Sequence, residues 1–210
     1  KKISNELGVR MNSTQDKKRD AQKGIQQDIQ RDTYGIDIAG IHRELELFEV
    51  KPGLRIAILN ILGDTELVEA CALALARKLE DINYKALVTA EAKSIPLAHA
   101  LSVATGKPYV ILRKSYKPYM GDAIQSETLS ITTGEPQTLY LDEKDCELVA
   151  DSNVVIIDDV ISTGSTLQGM RMIMEKAGAK VIAEAAILTE GERAKWSDVI
   201  ALGHLPVFSD

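Results

Sequence analysis

The chain is 210 residues long, 45% hydrophobic and 27% charged, and its 25 basic and 31 acidic side chains give a formal net charge of −6. That length and apolar share suit one domain with a full core and leave too little for two of ordinary size, while the acidic balance argues against a nucleic-acid or anionic-membrane binder. No apolar run approaches the ~20 residues of a membrane span, and Lys1 to Arg10 lacks the apolar stretch of a signal peptide, so the expectation is a cytoplasmic protein without a membrane partner.

In chain order, residues 1–34 come first, with eight basic and five acidic side chains, a local +3, and only Ile3, Leu7, Val9, Met11, Ile25 and Ile29 as dispersed aliphatics. These are too few to bury a core. The segment reads as a basic N-terminal extension, helical or partly ordered, with a compositional boundary near Tyr34-Gly35; Glu6 to Val9 (ELGV) also has the look of a helix-turn-helix remnant. Residues 35–210 then alternate short apolar runs with helix-period stretches, the signature of an α/β domain with a mainly parallel sheet flanked by helices. Leu54 to Leu62 predicts a strand, and Asp64 or Thr65 caps a helix with Leu67, Cys71, Leu75 and Leu79 on one face. Ala86 to Ala90 predicts a buried strand. A helix from about Ser94 carries Pro96 in its first turn, turns Leu97, Leu101 and Ala104 inward, and stops at Gly106. Pro108 to Leu112 predicts a third strand, and a polar stretch follows to Gln137, with Thr138 to Leu141 pairing beside that strand. Val154 to Ile157, four aliphatics in a row, suits a strand buried on both faces. Ser165 to Ala177 predicts a helix with Leu167, Met170, Met174 and Ala177 on one side and Gly178 as its stop. Val181 to Leu188 and Val199 to Leu202 complete the sheet. Cys71 and Cys146 form no CxxC pair, so neither zinc nor a disulfide is expected. His42, His99 and His204 are scattered and read as structural.

The chemistry concentrates in Val154 to Thr166 (VVIIDDVISTGST). A buried strand delivers Asp158 and Asp159 to its C-terminal end, where open α/β sheets bind ligands. A loop of hydroxyls, Ser162, Thr163, Ser165 and Thr166, then enters a helix. Gly164 lets the backbone come close, and first-turn N–H groups face the bound anion. Two carboxylates beside a phosphate cup repel a phosphate unless a metal or a polyhydroxylated group lies between them, which points to a sugar phosphate. The bland alternative is a capped turn and an ordinary helix start. A Walker A loop lacks its GK[ST] here, and the dinucleotide fingerprint lacks its GxGxxG.

These residues resemble the phosphoribosyl-pyrophosphate (PRPP) motif of the type I phosphoribosyltransferases, and three further segments follow that family's order. Thr89 to Ala98 (TAEAKSIPLA) is similar to the pyrophosphate loop of the adenine branch, Leu112 to Met120 (LRKSYKPYM) to the entry of the flexible loop, and Ile124 to Gly134 (IQSETLSITTG) to its remainder. The resemblance spans roughly Leu54 to Leu188. It implies the type I phosphoribosyltransferase fold, with a hood over about 36–62 and a flexible lid over about 114–137. It implies Asp158 and Asp159 as catalytic residues, and Ser162, Thr163, Gly164, Ser165 and Thr166 around the 5′-phosphate of PRPP. It implies Glu91, Ala92, Lys93, Arg113, Lys114 and Lys117 at the pyrophosphate, and Tyr116 and Tyr119 on the lid. Mg²⁺ is the implied cofactor, held mainly by PRPP with a water-mediated link to Asp158. The implied partners are PRPP and a purine base, adenine the first guess, in a homodimer. The sequence departs from the adenine branch at Thr132-Thr133 before Gly134, where Glu-Tyr is usual, at Lys93 for Arg and at Ser165 for Gly. A non-catalytic PRPP sensor, or an enzyme for another base, is the alternative.

Overall fold

The computed structural model of the chain describes residues 32–129 and 136–209. The expected N-terminal extension, with its ELGV stretch, lies outside them as far as residue 31. The first strand, β1 (Thr33–Ile38), alternates outward and inward residues as a half-buried strand does, and it starts ahead of the predicted boundary at Tyr34-Gly35. It pairs antiparallel with β2 (Ile41–Lys51) through Ala39 and Gly40, whose φ angles of 51° and 85° make the two-residue turn that matches strand twist. Pro52 and Gly53 turn β2 into β3 (Leu54–Ile58). That strand is shorter than predicted: beyond Ile58 the chain leaves the sheet, and Leu59 and Ile61 are buried in the connection instead. The C-terminal strand β11 (Phe208–Ser209) adds to β3 at the far edge. Rings from the two edges, Tyr34 and Phe208, meet edge-to-face at 5.2 Å, so this four-stranded hood sheet curls over its contents.

Asp64 starts helix α1 (Thr65–Lys78), its side chain accepting the Leu67 N–H at 3.2 Å, and Leu67, Cys71, Leu75 and Leu79 are all buried as their spacing requires. β4 (Ala86–Ala90) follows, then α2 (Ile95–Thr105), which ends at a left-handed Gly106. Leu97 and Leu101 of α2 are buried, but Ala104, expected to face inward, is exposed: the last turn has run past the sheet and lines an open cleft against α1. After β5 (Tyr109–Leu112), the polar stretch holds a 3₁₀ turn, Pro118–Met120, and a hairpin of β6 (Ile124–Leu129) and β7 (Pro136–Leu141). β7 meets the end of β5 through paired backbone bonds of 2.8 Å between Arg113 and Tyr140. A short helix, α3 (Glu143–Val149), was not expected. β8 (Asn153–Ile161), α4 (Ser165–Lys176), β9 (Lys180–Glu190) and β10 (Ile200–Leu205) complete the chain.

The central sheet is parallel throughout, in the order β10-β9-β8-β4-β5. Leu87, Val155 and Ile157 face one cluster with Leu67, Leu75, Leu97 and Leu101 of α1 and α2. Val88, Val154 and Ile156 face the other, with Leu167, Met170, Ile173 and Met174 of α4. Each such side chain contributes about 1.5–3 kcal/mol by leaving water, and the two-sided burial holds β4 and β8 rigidly side by side. Among the described residues, no helix is long and apolar enough to cross a membrane.

Candidate active site

From β4 the chain continues outward to β5, whereas β8 leads in the other direction to β9. The strand order therefore reverses between β4 and β8, and a crevice opens at their C-terminal ends. Pairing of β4 with β8 stops at Val88 and Ile156, while β8 stays paired with β9 as far as Ile161 and Thr189. Asp158 and Asp159 thus lie within the strand, on a stretch whose other edge is open.

Into that opening comes the loop Glu91 to Ser94, which contains a cis Glu91–Ala92 peptide. Ser94 Oγ lies 2.8 Å from Asp158 Oδ1 and 3.1 Å from Asp159 Oδ1, and accepts the Asp159 N–H at 2.9 Å. One hydroxyl has one proton to give, so it bridges the two carboxylates without satisfying both. Lys93 Nζ forms an ion pair with Asp159 Oδ2 at 2.9 Å, although that buried oxygen accepts no aligned hydrogen bond. Burial, and after it the charge of Asp159, pushes the Asp158 carboxyl well above the ordinary carboxylate range.

Past Ile161, the loop Ser162 to Gly164 leads into α4. Gly164 takes φ 85° at the helix start, a conformation open to glycine at little cost, and the Ser165 N–H that follows donates to Thr163 Oγ1 at 3.5 Å. Thr163 Oγ1 and Ser165 Oγ are 3.1 Å apart. A hollow of about 40 Å³ is lined by Asp158 and by residues from Val160 to Leu167, Thr166 included. Asp158, Val160 and Thr166 also line a neighbouring cavity of about 150 Å³ with Ala90, Glu91, Ala92, Lys93, Ser94, Lys114 and Asp159. The two hollows are therefore parts of one site. A larger cleft of about 570 Å³ between α1 and α2, lined by Arg77, Tyr84 and Lys107 among others, lies at the opposite ends of the strands and gathers no such chemistry.

Glu91 is not free to face a ligand. Its Oε2 accepts from Arg113 Nε at 2.6 Å and its Oε1 from the Lys114 N–H at 2.5 Å. Burial alone would raise this carboxyl, but those two donors outweigh it and hold the group below its ordinary value. Glu91 thereby positions the start of the following loop, and Lys114 joins Lys93 in the cavity lining. Arg113, Tyr116, Lys117 and Tyr119 are not in the cavity lining. Arg113 Nη1 reaches the Tyr119 hydroxyl only at 3.5 Å, Tyr116 donates to the Gly121 carbonyl at 3.1 Å, and both tyrosines are exposed. The buried Met120 anchors this stretch. Thr132, Thr133 and Gly134 lie outside the described residues. Ser94, read from the sequence only as a helix start, spends its hydroxyl on the carboxylates and caps nothing. His99 packs its ring against Tyr109, His204 bonds Thr189, and His42 lies between Asp37 and Glu44 in the hood, so none enters the crevice.

Residues 59–202 match the family model of the phosphoribosyl transferase domain. The hypoxanthine/guanine phosphoribosyltransferase of Methanococcus voltae is 36% identical over 112 residues, 53% of this chain and 56% of that protein. The protein of the same description from Methanotorris igneus is 32% identical over 130 residues, 62% and 67% of the two chains. The chain thus spans little more than half the length of the first of these relatives. Among solved structures, the adenine phosphoribosyltransferase of Thermoanaerobacter pseudethanolicus superposes with a TM-score of 0.63 at 20% identity, covering 76% of this chain and 95% of that one. The APRTase of Giardia lamblia, solved with 9-deazaadenine, gives 0.64 at 20% identity over 76% and 93%. Likeness at that identity establishes the fold, and the matched family stretch contains every residue that lines the crevice. This chain is a member of the phosphoribosyl transferase domain family, with the type I fold.

Proposed function

We propose that the protein transfers ribose 5-phosphate from PRPP to a purine base, releasing pyrophosphate. The observation that carries this reading is the convergence, at one strand-order reversal, of a carboxylate pair, two lysines and a hydroxyl-rich loop at a helix start. In the transfer, the bond from C1′ to the diphosphate oxygen breaks and its electron pair leaves with pyrophosphate. A ring nitrogen of the base forms the new bond to C1′ and gives up its proton. The sugar gains positive character as the leaving group gains negative charge, so opposite charges must be stabilised close together. Asp158 and Asp159 hold the ribose hydroxyls and favour the cationic sugar. Lys93 and Lys114 face the diphosphate, which competes with Asp159 for the Lys93 ammonium. Ser162 to Thr166 grip the remote 5′-phosphate and orient the reacting carbon. The stretch from Lys114 to Gln137 is read as the lid that keeps water from the sugar.

The donor set suits Mg²⁺ as a shared rather than a caged ion. Among the described residues no three potential ligands gather into a metal cage, yet two hard carboxylates stand together with one oxygen lacking an aligned donor. Bound with the substrate, such an ion would neutralise the diphosphate, while Asp158 would hold it through water. As to the base, the relatives at 32–37% identity are named hypoxanthine/guanine enzymes, which supports a 6-oxopurine as the first base to test. Incubation with PRPP, Mg²⁺ and each of hypoxanthine, guanine, adenine, xanthine and orotate, with pyrophosphate release followed, tests the reading. Turnover is expected on hypoxanthine or guanine, and Asp159→Asn is expected to lower it by more than about tenfold while the fold persists. PRPP binding without turnover on any base would instead make the protein a PRPP sensor.

A further inference from the structure

We propose that Lys195 and Trp196, which lie outside the phosphate loop, are the positioning residues that hold it in its anion-receiving shape. This rests on reading Ser162 to Thr166 as the 5′-phosphate site. The two residues end the 3₁₀ turn Arg193–Trp196 that follows β9. Trp196 is 9% exposed, and its indole N–H donates to the Glu190 carbonyl at 3.0 Å, which fixes the ring against the sheet. The loop backbone lies directly on that ring: a Cβ built on Gly164 would stand 2.6 Å from Trp196 Cη2, closer than real side chains approach. Lys195 Nζ lies 4.5 Å from the centroid of the same ring and donates to the Thr163 carbonyl at 2.9 Å.

The peptide that joins Thr163 to Gly164 is planar, with its C=O and N–H pointing opposite ways. Holding the Thr163 carbonyl on Lys195 therefore turns the Gly164 N–H to the other side of the loop, away from the ammonium and the indole. The same ammonium withdraws a carbonyl dipole that would otherwise be free to swing toward a bound phosphate. The loop's own side chains contribute the 3.1 Å contact between Thr163 and Ser165 and a long 3.5 Å bond from the Ser165 N–H to Thr163 Oγ1. The shape of the loop is thus supplied from about thirty residues downstream, by a cation stacked on an aromatic platform.

Trp196 is the only tryptophan in the chain, so its emission reports on the loop directly. The protein is titrated with ribose 5-phosphate and, separately, with inorganic pyrophosphate plus Mg²⁺, and affinities are read by calorimetry beside Trp196 fluorescence. Ribose 5-phosphate is expected to shift the emission and pyrophosphate to leave it unchanged. Lys195→Met is expected to weaken ribose 5-phosphate about tenfold, the loss of one charge-assisted hydrogen bond, and to leave pyrophosphate affinity unchanged. Lys195→Arg should recover most of the lost affinity, and in turnover Lys195→Met should raise the KM for PRPP more than it lowers kcat. If Lys195→Met does not fold, Trp196→Leu, read by calorimetry alone, should show the same selectivity for ribose 5-phosphate. Equal weakening of both ligands, or of neither, overturns the proposal. A parent protein that binds pyrophosphate and PRPP but not ribose 5-phosphate, or binds none of them, overturns the reading of the loop itself.

Discussion

Ser94 shows what a single residue does here and why the sequence hides it. Asp158, Asp159 and the loop through Thr166 are contiguous, so their clustering is legible as a string. The hydroxyl that bridges the two carboxylates comes from 64 residues away and carries no signal beyond a helix start. Lys195 and Trp196 are hidden for the same reason, since only the folded sheet brings them under Gly164. The carboxylate pair is costly in itself. Folding raises Asp158 by burial and then by the charge of Asp159, so the folded chain keeps a proton that the unfolded chain releases through the ordinary carboxylate range. This contribution favours folding below that range and is lost as pH rises through the raised value. Asp158→Asn removes the penalty. Its ligand-free melting temperature is expected to exceed the parent's by about 2–4 °C at pH 8, on the order of 1 kcal/mol at this length, with a smaller gain at pH 5. A variant less stable than the parent at pH 8 would mean that Asp158 is held as a stabilising anion.

At the scale of elements, the pieces read correctly from sequence are those whose pattern is set by the central sheet. β4, β8, α1 and α4 bury one or both faces, and the period of their aliphatics follows from that. The β1–β2 hairpin escaped because its turn is Ala39-Gly40, an alanine in the left-handed region and not the Asn-Gly or Asp-Gly that usually marks such turns. The α3 helix escaped because its seven residues are mostly polar and bury only Val149, although Asp142 caps it by accepting the Lys144 N–H at 3.1 Å. The hood shares an apolar cluster with the core through Ile38, Leu45 and Ala57, and beside it Arg43 makes a polar tie. Arg43 of β2 donates from Nε and Nη2 to both oxygens of Asp64 at 2.8 and 2.9 Å, and from Nη2 to Glu66 at 2.8 Å. Asp64 meanwhile caps α1, and the Arg43 guanidinium holds its carboxyl below the ordinary range. Asp64→Ala loses the cap and leaves Arg43 half-paired, so it is expected to cost about 2 kcal/mol, or roughly 4–8 °C of melting temperature. Asp64→Asn keeps the cap and should lose about half as much. Equal losses in the two variants would place the whole effect in the ion pair.

At the scale of the whole molecule, an acidic chain is proposed to bind a dense anion, and the fold makes the two compatible. The site draws on three separated stretches, Ala90 to Ser94, Lys114, and Asp158 to Thr166, which the sheet brings to one crevice. Cations and helix-terminal N–H groups are concentrated there while the net charge stays at −6. A ligand that touches all three stretches stabilises the folded chain by mass action, about 2.7 kcal/mol at a hundred times its dissociation constant. At this length that corresponds to a rise of roughly 5–10 °C in melting temperature. PRPP with Mg²⁺ is expected to give this rise. Ribose 5-phosphate and pyrophosphate, each added alone at the same concentration, should give less, because each spans only part of the crevice. Chelation of Mg²⁺ should cut the PRPP effect by more than half, since the uncompensated diphosphate then faces Asp158 and Asp159 across a cavity of about 150 Å³. A shift with PRPP no larger than with ribose 5-phosphate alone would show that the diphosphate side of the crevice is not engaged, and that the lysines there serve only the carboxylate pair.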